Sequence, residues 1–381
     1  MKINKYISYI LSIFLLVMGV LIISNVRVNK ADKVRGNIVV WANENTFDYL
    51  SEAANEFMKS YDNTNIEVSL LYSENYNKKI LDVIGDSSTT NIIQLSTTDL
   101  RNMIESNIIK NNINEEREIV NNYYSNFSSG RIKEVNNKDE IIGVPLTSRP
   151  LVLYIRNDML AEYGYTYEDI NTWSDLKKVG EDILDKTSGK IKILNAVGQD
   201  YKDLVSLITM QAMEESNDKD KIKELVLERL DDLTSIMNTD IDGEFLARIS
   251  SINSMKEIIA INKPCEWTAN NVPAKLPGGN RFYVDEGYNL IAINETEENE
   301  NLITKFISFL ATNTEMAIKD IKEGNFFLSY LSTYKSKLIE EQVKNFIGKS
   351  PLVVMSNIYK KAPEINNYEL YLEIKNEILR K

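Results

Sequence analysis

The side chains best placed to do chemistry in this sequence form three short polar groups. Each group follows or interrupts an apolar stretch, and together they comprise Asn43, Glu44, Asn45, Thr98, Asp99 and Arg149. Their amide, hydroxyl, carboxylate and guanidinium groups can supply the hydrogen bonds that hold a polar ligand. Asn, Thr and Asp are also favoured at helix N-termini, so each of the first two groups, taken alone, is more typical of a helix cap. A shared location in the fold would favour a binding site.

Catalysis by the commonest side chains is excluded by composition. The chain contains no histidine and one cysteine, Cys265. It therefore lacks Ser-His-Asp, Cys-His and HExxH chemistry, an intrachain disulfide and a cysteine cluster for a metal. Paired carboxylates of the glycosidase kind remain conceivable, but no motif singles out any pair among the 56 acidic residues. We therefore expect no enzyme activity, no cofactor and no metal site.

Length and charge define the class of protein further. At 381 residues, with 43% hydrophobic and 26% charged residues, the chain is long enough for two lobes, each with its own core. The formal net charge of −12 argues against a nucleic-acid partner, which requires a basic face.

Alternating strands and helices are predicted from the start of the folded region. Apolar strands at Asn37–Trp41, Ile66–Leu71 and Ile92–Leu95 alternate with helical stripes such as Phe47–Tyr61. This order is typical of a doubly wound α/β sheet, in which ligands bind beyond the carboxyl ends of the strands. The first two polar groups both follow such ends, which favours a ligand site over two separate caps.

A proline-containing stretch, Gly143–Tyr154, joins two apolar runs and carries the third polar group. We interpret it as an extended crossing between two lobes, with Thr147, Ser148 and Arg149 projecting into the space between them. A proline-interrupted loop within one domain is the alternative. The Pro- and Gly-rich stretch Pro273–Gly279 predicts a second crossing.

Later elements follow from the same patterns. A third crossing is predicted at Gly324–Phe327, a long amphipathic helix over Lys219–Asp240, and a short strand at Ile258–Ile261. Thr172 is predicted to cap a helix, with Asp175 at its third position.

The first 35 residues are predicted to lie outside the fold. The apolar run Tyr6–Val26 is longer than a signal-peptide core, and no small-residue cleavage site follows it. We interpret it as a retained single-pass anchor, with a cleaved signal peptide as the alternative. The basic residues after the run outnumber those before it, which would keep the following domain in the cytoplasm.

Several stretches, in order, resemble the extracellular solute-binding proteins of bacterial ABC importers, in the branch of the maltose- and oligosaccharide-binding proteins. They are Ile38–Trp41, Asn91–Leu100, Ile142–Leu160, Thr172–Leu176, Met255–Trp267 and Tyr288–Thr312. The resemblance implies a two-lobed, periplasmic-binding-protein-like α/β fold, the Venus flytrap, with several crossings between lobes. It implies lobe 1 at 36–146 plus 280–315 and lobe 2 at 147–279 plus 316–381, both after the membrane anchor or uncleaved signal that the apolar run predicts at 1–35.

The resemblance also implies a function. A monomer outside the cell membrane would capture an oligosaccharide between its lobes and deliver it to ABC permease subunits, which overrules the charge-based orientation. Asn43, Glu44, Asn45, Thr98, Asp99 and Arg149 would be ligand contacts, joined by Tyr201, Trp267 and Tyr368 as aromatic platforms. This sequence departs from the family's Gly-Pro-Trp turn, since it reads Lys263–Trp267 as Lys-Pro-Cys-Glu-Trp, and Tyr368 has the helical spacing of a core residue.

Other interpretations stay open at this point. The same anchored flytrap would suit a sensor or an envelope-assembly factor. A polyamine ligand is suggested by the acidic residues Glu44 and Asp99, and ferric iron by the tyrosine pair Tyr123-Tyr124.

Overall fold

A computed structural model describes residues 34–72, 89–106, 124–137 and 140–380. The strands are β1 (Gly36–Ala42), β2 (Thr64–Leu70), β3 (Thr90–Ser96), β4 (Asn136–Asn137), β5 (Glu140–Ile141), β6 (Val144–Pro145), β7 (Arg149–Pro150), β8 (Val152–Arg156), β9 (Leu194–Asn195), β10 (Met237–Asn238), β11 (Ala247–Ser250), β12 (Trp267–Asn271), β13 (Val284–Asp285) and β14 (Tyr288–Ala292). The α-helices are α1 (Phe47–Ser60), α2 (Thr97–Glu105), α3 (Ser129–Glu134), α4 (Asn157–Glu162), α5 (Trp173–Lys186), α6 (Gln199–Met213), α7 (Lys219–Leu233), α8 (Ile252–Ala260), α9 (Glu300–Thr312), α10 (Thr314–Glu323), α11 (Pro351–Lys361) and α12 (Tyr368–Leu379).

Two mixed sheets of five strands organise the described residues into a two-lobed α/β fold. The first sheet has the order β2-β1-β3-β14-β6 and the second has the order β10-β9-β11-β8-β12. In the first sheet β1 runs parallel to β2 and to β3, whereas β14 runs antiparallel to β3. The predicted alternation of strands and helices at the start of the fold is therefore confirmed, and the ends of β1 and β3 share one sheet edge.

The second sheet is built around β8, whose first four residues are buried. Strands β11 and β12 flank it in antiparallel register, while helices α6 and α7 pack together beside the sheet and α12 packs on both. The long helix predicted over Lys219–Asp240 ends at Leu233. Met237 continues the helical spacing of the apolar side chains, but its backbone pairs with β9 instead.

The strand predicted at Ile258–Ile261 is wrong, because helix α8 covers most of it. Met255 and Ile258 are buried on the inner side of this helix, whereas Ala260 is exposed. A run of four apolar residues fits a strand and a helix equally well, and here the three-residue spacing of the buried side chains prevails.

The chain passes between the sheets where β6, β7 and β8 follow one another. Strand β7 pairs with β13, which follows β12 of the second sheet along the chain and precedes β14 of the first sheet. The second crossing therefore occurs at Val284–Asp285 and not at Pro273–Gly279, where Ala274 N donates to Asn171 O at 2.9 Å within the second lobe. The lobe boundaries drawn from the sequence stay a prediction.

A third segment, next to the crossing predicted at Gly324–Phe327, pairs with the first crossing. Ser148 N donates to Phe327 O, and Ser329 N donates to Leu146 O, both at 2.8 Å. Gly287 lets the crossings approach closely, because a Cβ atom added there would lie 1.9 Å from Thr147 O.

The predicted anchor at Tyr6–Val26 lies outside the described residues. Among the residues that are described, no helix combines the length and the apolar character needed to cross a membrane.

Candidate functional site

A polar cavity of about 420 Å³ lies where the two lobes meet the crossings. Its wall comes from the edge of the first sheet, the crossings, α6 and α12: Asn43, Ser96, Thr98, Asp99, Arg149, Gln199, Lys202, Ser206, Asp285, Glu286, Tyr288, Lys375, Asn376 and Leu379. A second cavity of about 200 Å³ shares Arg149, Gln199 and Tyr288 with the first and is also lined by Asn45. Both lobes therefore furnish one continuous polar region around Arg149.

Asn43 holds the turn that precedes α1 and also lines the cavity. Its Oδ1 accepts hydrogen bonds from the backbone N–H of Asn45 at 3.1 Å and of Thr46 at 3.2 Å. Its Nδ2 is buried and forms no hydrogen bond of normal geometry with any described residue. A buried amide left unpaired costs about 1–3 kcal/mol, so a ligand oxygen at this position would be stabilising.

Thr98 and Asp99 stand at the first turn of α2, which Ser96 caps. Asp99 N donates to Ser96 Oγ at 3.0 Å, and Ser96 Oγ donates to the Asp99 carboxylate at 2.7 Å. Burial raises the pKa of Asp99, the Ser96 hydrogen bond partly opposes that rise, and the nearby Glu286 carboxylate adds to it. A helix cap and the cavity wall thus coincide in this group.

Arg149 is held in the centre by two carboxylates. Its Nη2 lies 2.5 Å from Asp203 Oδ1 of α6, and its Nη1 lies 3.8 Å from Asp285 Oδ2. Burial alone would lower the pKa of Arg149, but Asp203 and Asp285 outweigh it and raise that pKa. The guanidinium is therefore a fixed charge that ties the second lobe to the crossings.

Asp285 and Glu286 tie α12 to the same region. Asp285 accepts hydrogen bonds from Tyr371 Oη at 2.6 Å, Ser206 Oγ at 3.1 Å and Lys375 Nζ at 3.4 Å. Burial would raise the pKa of Asp285, but Lys375 and Arg149 lower it below its usual value. The buried acids and bases of the cavity wall therefore compensate one another.

Four predicted site residues line neither cavity. Glu44 is exposed, and Tyr201 packs half-buried against the core of the second lobe. Trp267 is only 4% exposed, at the start of β12, with the Arg156 guanidinium 5.9 Å from its ring centre. Tyr368 is 6% exposed, and its ring centre lies 5.5 Å from that of Tyr371.

The position of Trp267 has a structural cause. Strand β12 pairs with β8 on one side, and Trp267 N donates to Asn345 O on the other. The turn that differs from the family pattern thus ends in a paired strand, and the ring lies in the core.

The sequence analysis missed the aromatic ring that does line both cavities, Tyr288. It directly follows the close-approach Gly287 and is the first residue of β14. It also missed Gln199 and Lys202 on α6 and Lys375 on α12. The polar sequence Asp-Glu-Gly before an aromatic residue and a strand was the available signal.

No group of three or more acidic or cysteine side chains suited to a metal occurs among residues 34–72, 89–106, 124–137 and 140–380. Tyr124 is half-buried against the first core, and Tyr123 lies outside the described residues.

A family model for the bacterial extracellular solute-binding proteins matches residues 41–317. This chain belongs to that family. The resemblance drawn from the sequence is confirmed, and the chain is a solute-binding protein of an ABC importer, extracellular or periplasmic. Because the solute-binding protein family is non-catalytic, the expectation that the chain is not an enzyme is also confirmed.

Solved structures share the fold at low identity. The sugar-binding protein MalE of Xanthomonas citri has a TM-score of 0.71 and 14% identity over 90% of this chain and 92% of its own. The cyclic α-maltosyl-1,6-maltose binding protein of Arthrobacter globiformis has a TM-score of 0.70 and 15% identity, over 91% and 94%. Maltose-bound MalE3 of T. maritima has a TM-score of 0.66 and 16% identity, over 90% and 93%. None of the curated proteins matches the sequence.

Proposed function

We propose that this solute-binding protein captures a carbohydrate, an oligosaccharide, in the cavity between its lobes and delivers it to ABC permease subunits. The observation that carries the proposal is the cavity wall, which combines an aromatic ring with hydrogen-bonding groups from both lobes. Rings stack on the apolar faces of sugars, and polar side chains bond to their hydroxyl groups. The solved structures named above include proteins bound to or named for maltose-type sugars.

Within this proposal, Tyr288 serves as the stacking platform and Asn43 donates its unpaired Nδ2 to a sugar oxygen. Thr98, Asp99 and Arg149 remain proposed contacts because they line the same wall. Asn45 extends the contacts into the smaller cavity and would meet a second sugar unit there.

Calorimetric titration with neutral glycans tests the proposal. The panel contains maltose, maltotriose and cyclic glucans, and the protein is the folded wild type. Replacement of Tyr288 by Ala should weaken binding of the best ligand at least tenfold, an effect of the size expected for loss of a stacked ring, about 1.4 kcal/mol.

The matched control is Tyr72→Ala, since Tyr72 is 56% exposed and lines neither cavity. It should leave binding unchanged. Absence of binding to any glycan, or equal effects of both substitutions, would refute the proposal.

Spermidine belongs in the same panel because a polyamine is the rival ligand. The structure gives it little support, since Glu44 lines neither cavity and the Asp285 and Glu286 carboxylates already accept hydrogen bonds from Lys375. We expect no heat from spermidine.

We further propose that Tyr6–Val26 anchors this domain at the outer face of the membrane, as the apolar run and the extracellular family suggest. Protease added to intact cells should degrade the domain. Unchanged glycan uptake in a deletion strain, with altered signalling or envelope, would instead favour a sensor or an assembly factor.

A further inference from the structure

We infer that Glu286 is a specificity-determining residue that keeps acidic ligands out of the cavity between the lobes. Its own carboxylate occupies the place where a ligand carboxylate, sulfate or phosphate would otherwise bind. The inference rests on the proposed function, since it concerns the ligand class of the same cavity.

The contacts of the Glu286 carboxylate are those of a bound anion. Its Oε2 accepts hydrogen bonds from Thr98 N at 3.1 Å and from Thr98 Oγ1 at 2.5 Å. Its Oε1 accepts a hydrogen bond from Lys375 Nζ at 3.3 Å. A backbone amide in the first turn of a helix, a hydroxyl and an ammonium are the donors that proteins direct at anions.

These donors are built into the wall and do not depend on mobile surface chains. Lys375 is 5% exposed and lies between the carboxylates of Asp285 and Glu286. Thr98 lies in the first turn of α2, directly after β3 of the first sheet, and Lys375 lies on α12 of the second lobe. The pocket around the Glu286 carboxylate therefore draws donors from both lobes, as a ligand site in this cavity would.

The charge of the wall depends on Glu286. The wall carries the cations Arg149, Lys202 and Lys375 and the carboxylates Asp99, Asp285 and Glu286, which balance. Asp203, behind the wall, is engaged by Arg149. Counted with Asp203, the four carboxylates exceed the three cations by one, so removal of Glu286 would make this region neutral. It would also free the Thr98 donors and one contact of Lys375, and Lys202 forms no ion pair within the part of the chain that the structure describes.

An acidic ligand would meet two carboxylates at this side of the wild-type cavity. Asp99 and Glu286 are close enough for Glu286 to raise the pKa of Asp99, in addition to the larger effect of burial. A third negative group would add repulsion, and the Thr98 and Lys375 donors on this side of the cavity are already bound to Glu286. A neutral glycan incurs no such penalty, because its hydroxyl groups can accept from Asn43 and donate to Asp99.

The test uses sodium sulfate as the probe, titrated calorimetrically into the full-length protein at low ionic strength. We expect no measurable binding to the wild type at millimolar sulfate. Glu286→Ala should bind sulfate at least tenfold more tightly, as expected for regained charge-assisted hydrogen bonds. Adding Lys375→Met to Glu286→Ala should remove the gained binding.

The matched control is Asp99→Ala, which removes another carboxylate from the same wall but frees neither the Thr98 hydroxyl nor Lys375. It should gain no sulfate binding. Glu286→Ser repeats the test with another short side chain that vacates the place of the carboxylate, in case the alanine variant does not fold as judged by circular dichroism.

Equal sulfate binding by the wild type and the Glu286 variants would overturn the inference, as would an equal gain in Asp99→Ala or no gain in any folded variant. The outcome is separate from the proposed function. A wild type that binds no neutral glycan would refute the carbohydrate proposal, while a sulfate gain specific to Glu286 would still support exclusion of anions.

Discussion

Replacing Arg149 by Met should destabilise the protein far more than removing a surface ion pair. Asp203 is fully buried, and without Arg149 its described partners are the neutral donors Gln199 Nε2 at 2.7 Å and Ser250 Oγ at 3.1 Å. Breaking a buried pair and leaving the charge behind costs about 3–5 kcal/mol. Asp285 contributes less to this loss, because it retains Lys375.

The loss should depend on pH in a direction that identifies Asp203 as its source. Burial raises the pKa of Asp203, and Arg149 opposes that rise. In the variant the folded-state pKa lies higher still, so the folded protein binds a proton before the unfolded chain does. Stability of the variant relative to wild type therefore recovers as the pH falls from about 8 to about 5.

Urea unfolding followed by tryptophan fluorescence measures both effects. Arg156→Met is the control, because the side chains of Arg156 and its partner Asp158 are 24% and 30% exposed. It should cost about 0–1 kcal/mol. Adding Asp203→Asn to Arg149→Met should recover part of the loss, since the uncompensated carboxylate is gone. Equal losses in the two arginine variants, or a loss in Arg149→Met that is the same at both pH values, would refute the reasoning.

Three further predictions concern the elements that shape the cavity. Gly287→Ala should lower the free energy of unfolding by about 1–3 kcal/mol and weaken glycan binding, because the new Cβ atom would overlap Thr147 O. Gly130→Ala is the control, because its Cβ atom would lie 3.8 Å from the nearest atom, and it should be neutral in the same unfolding and titration assays. Thr172→Ala should lower the free energy of unfolding in urea by about 1 kcal/mol, because it removes the observed N-cap of α5. A decrease of less than about 0.3 kcal/mol would contradict that role. Burial lowers the pKa of Lys375, but its carboxylate partners outweigh this effect and raise that pKa well above 10.5. The ion pairs of Lys375 therefore contribute fully to the free energy of unfolding below pH 10.5, and this contribution is lost as the pH rises through the folded-state pKa. Thermal melts should therefore show a steeper alkaline decline for wild type than for Lys375→Met, and parallel declines would contradict it.

The first sheet was predictable because buried parallel strands leave apolar runs in the sequence. The runs at Ile38–Val40 and Ile92–Leu95 carry this pattern, and the helix cap at Thr172 with Asp175 was recognisable from local chemistry alone. The prolines that interrupt the apolar runs at Gly143–Tyr154 fitted a loop as well as a crossing, and the pattern of the rest of the chain favoured the crossing.

Long-range contacts decided what the sequence analysis missed. Lys375 lies on an amphipathic helix, where a lysine is normally solvated, and its burial depends on Asp285, 90 residues earlier. The 2-residue strand at Met237 exists only because β9 lies beside it. Trp267 resembled a family platform in sequence, yet strand pairing on both sides of β12 holds it in the core.

The most direct test is a crystal structure of the protein with the glycan that it binds most tightly. The account predicts ligand density in the cavity between the lobes, against the Tyr288 ring, with a ligand oxygen within hydrogen-bond distance of Asn43 Nδ2 and no ligand acid at Glu286. Density at Trp267 or at another surface, with this cavity free of ligand, would contradict it.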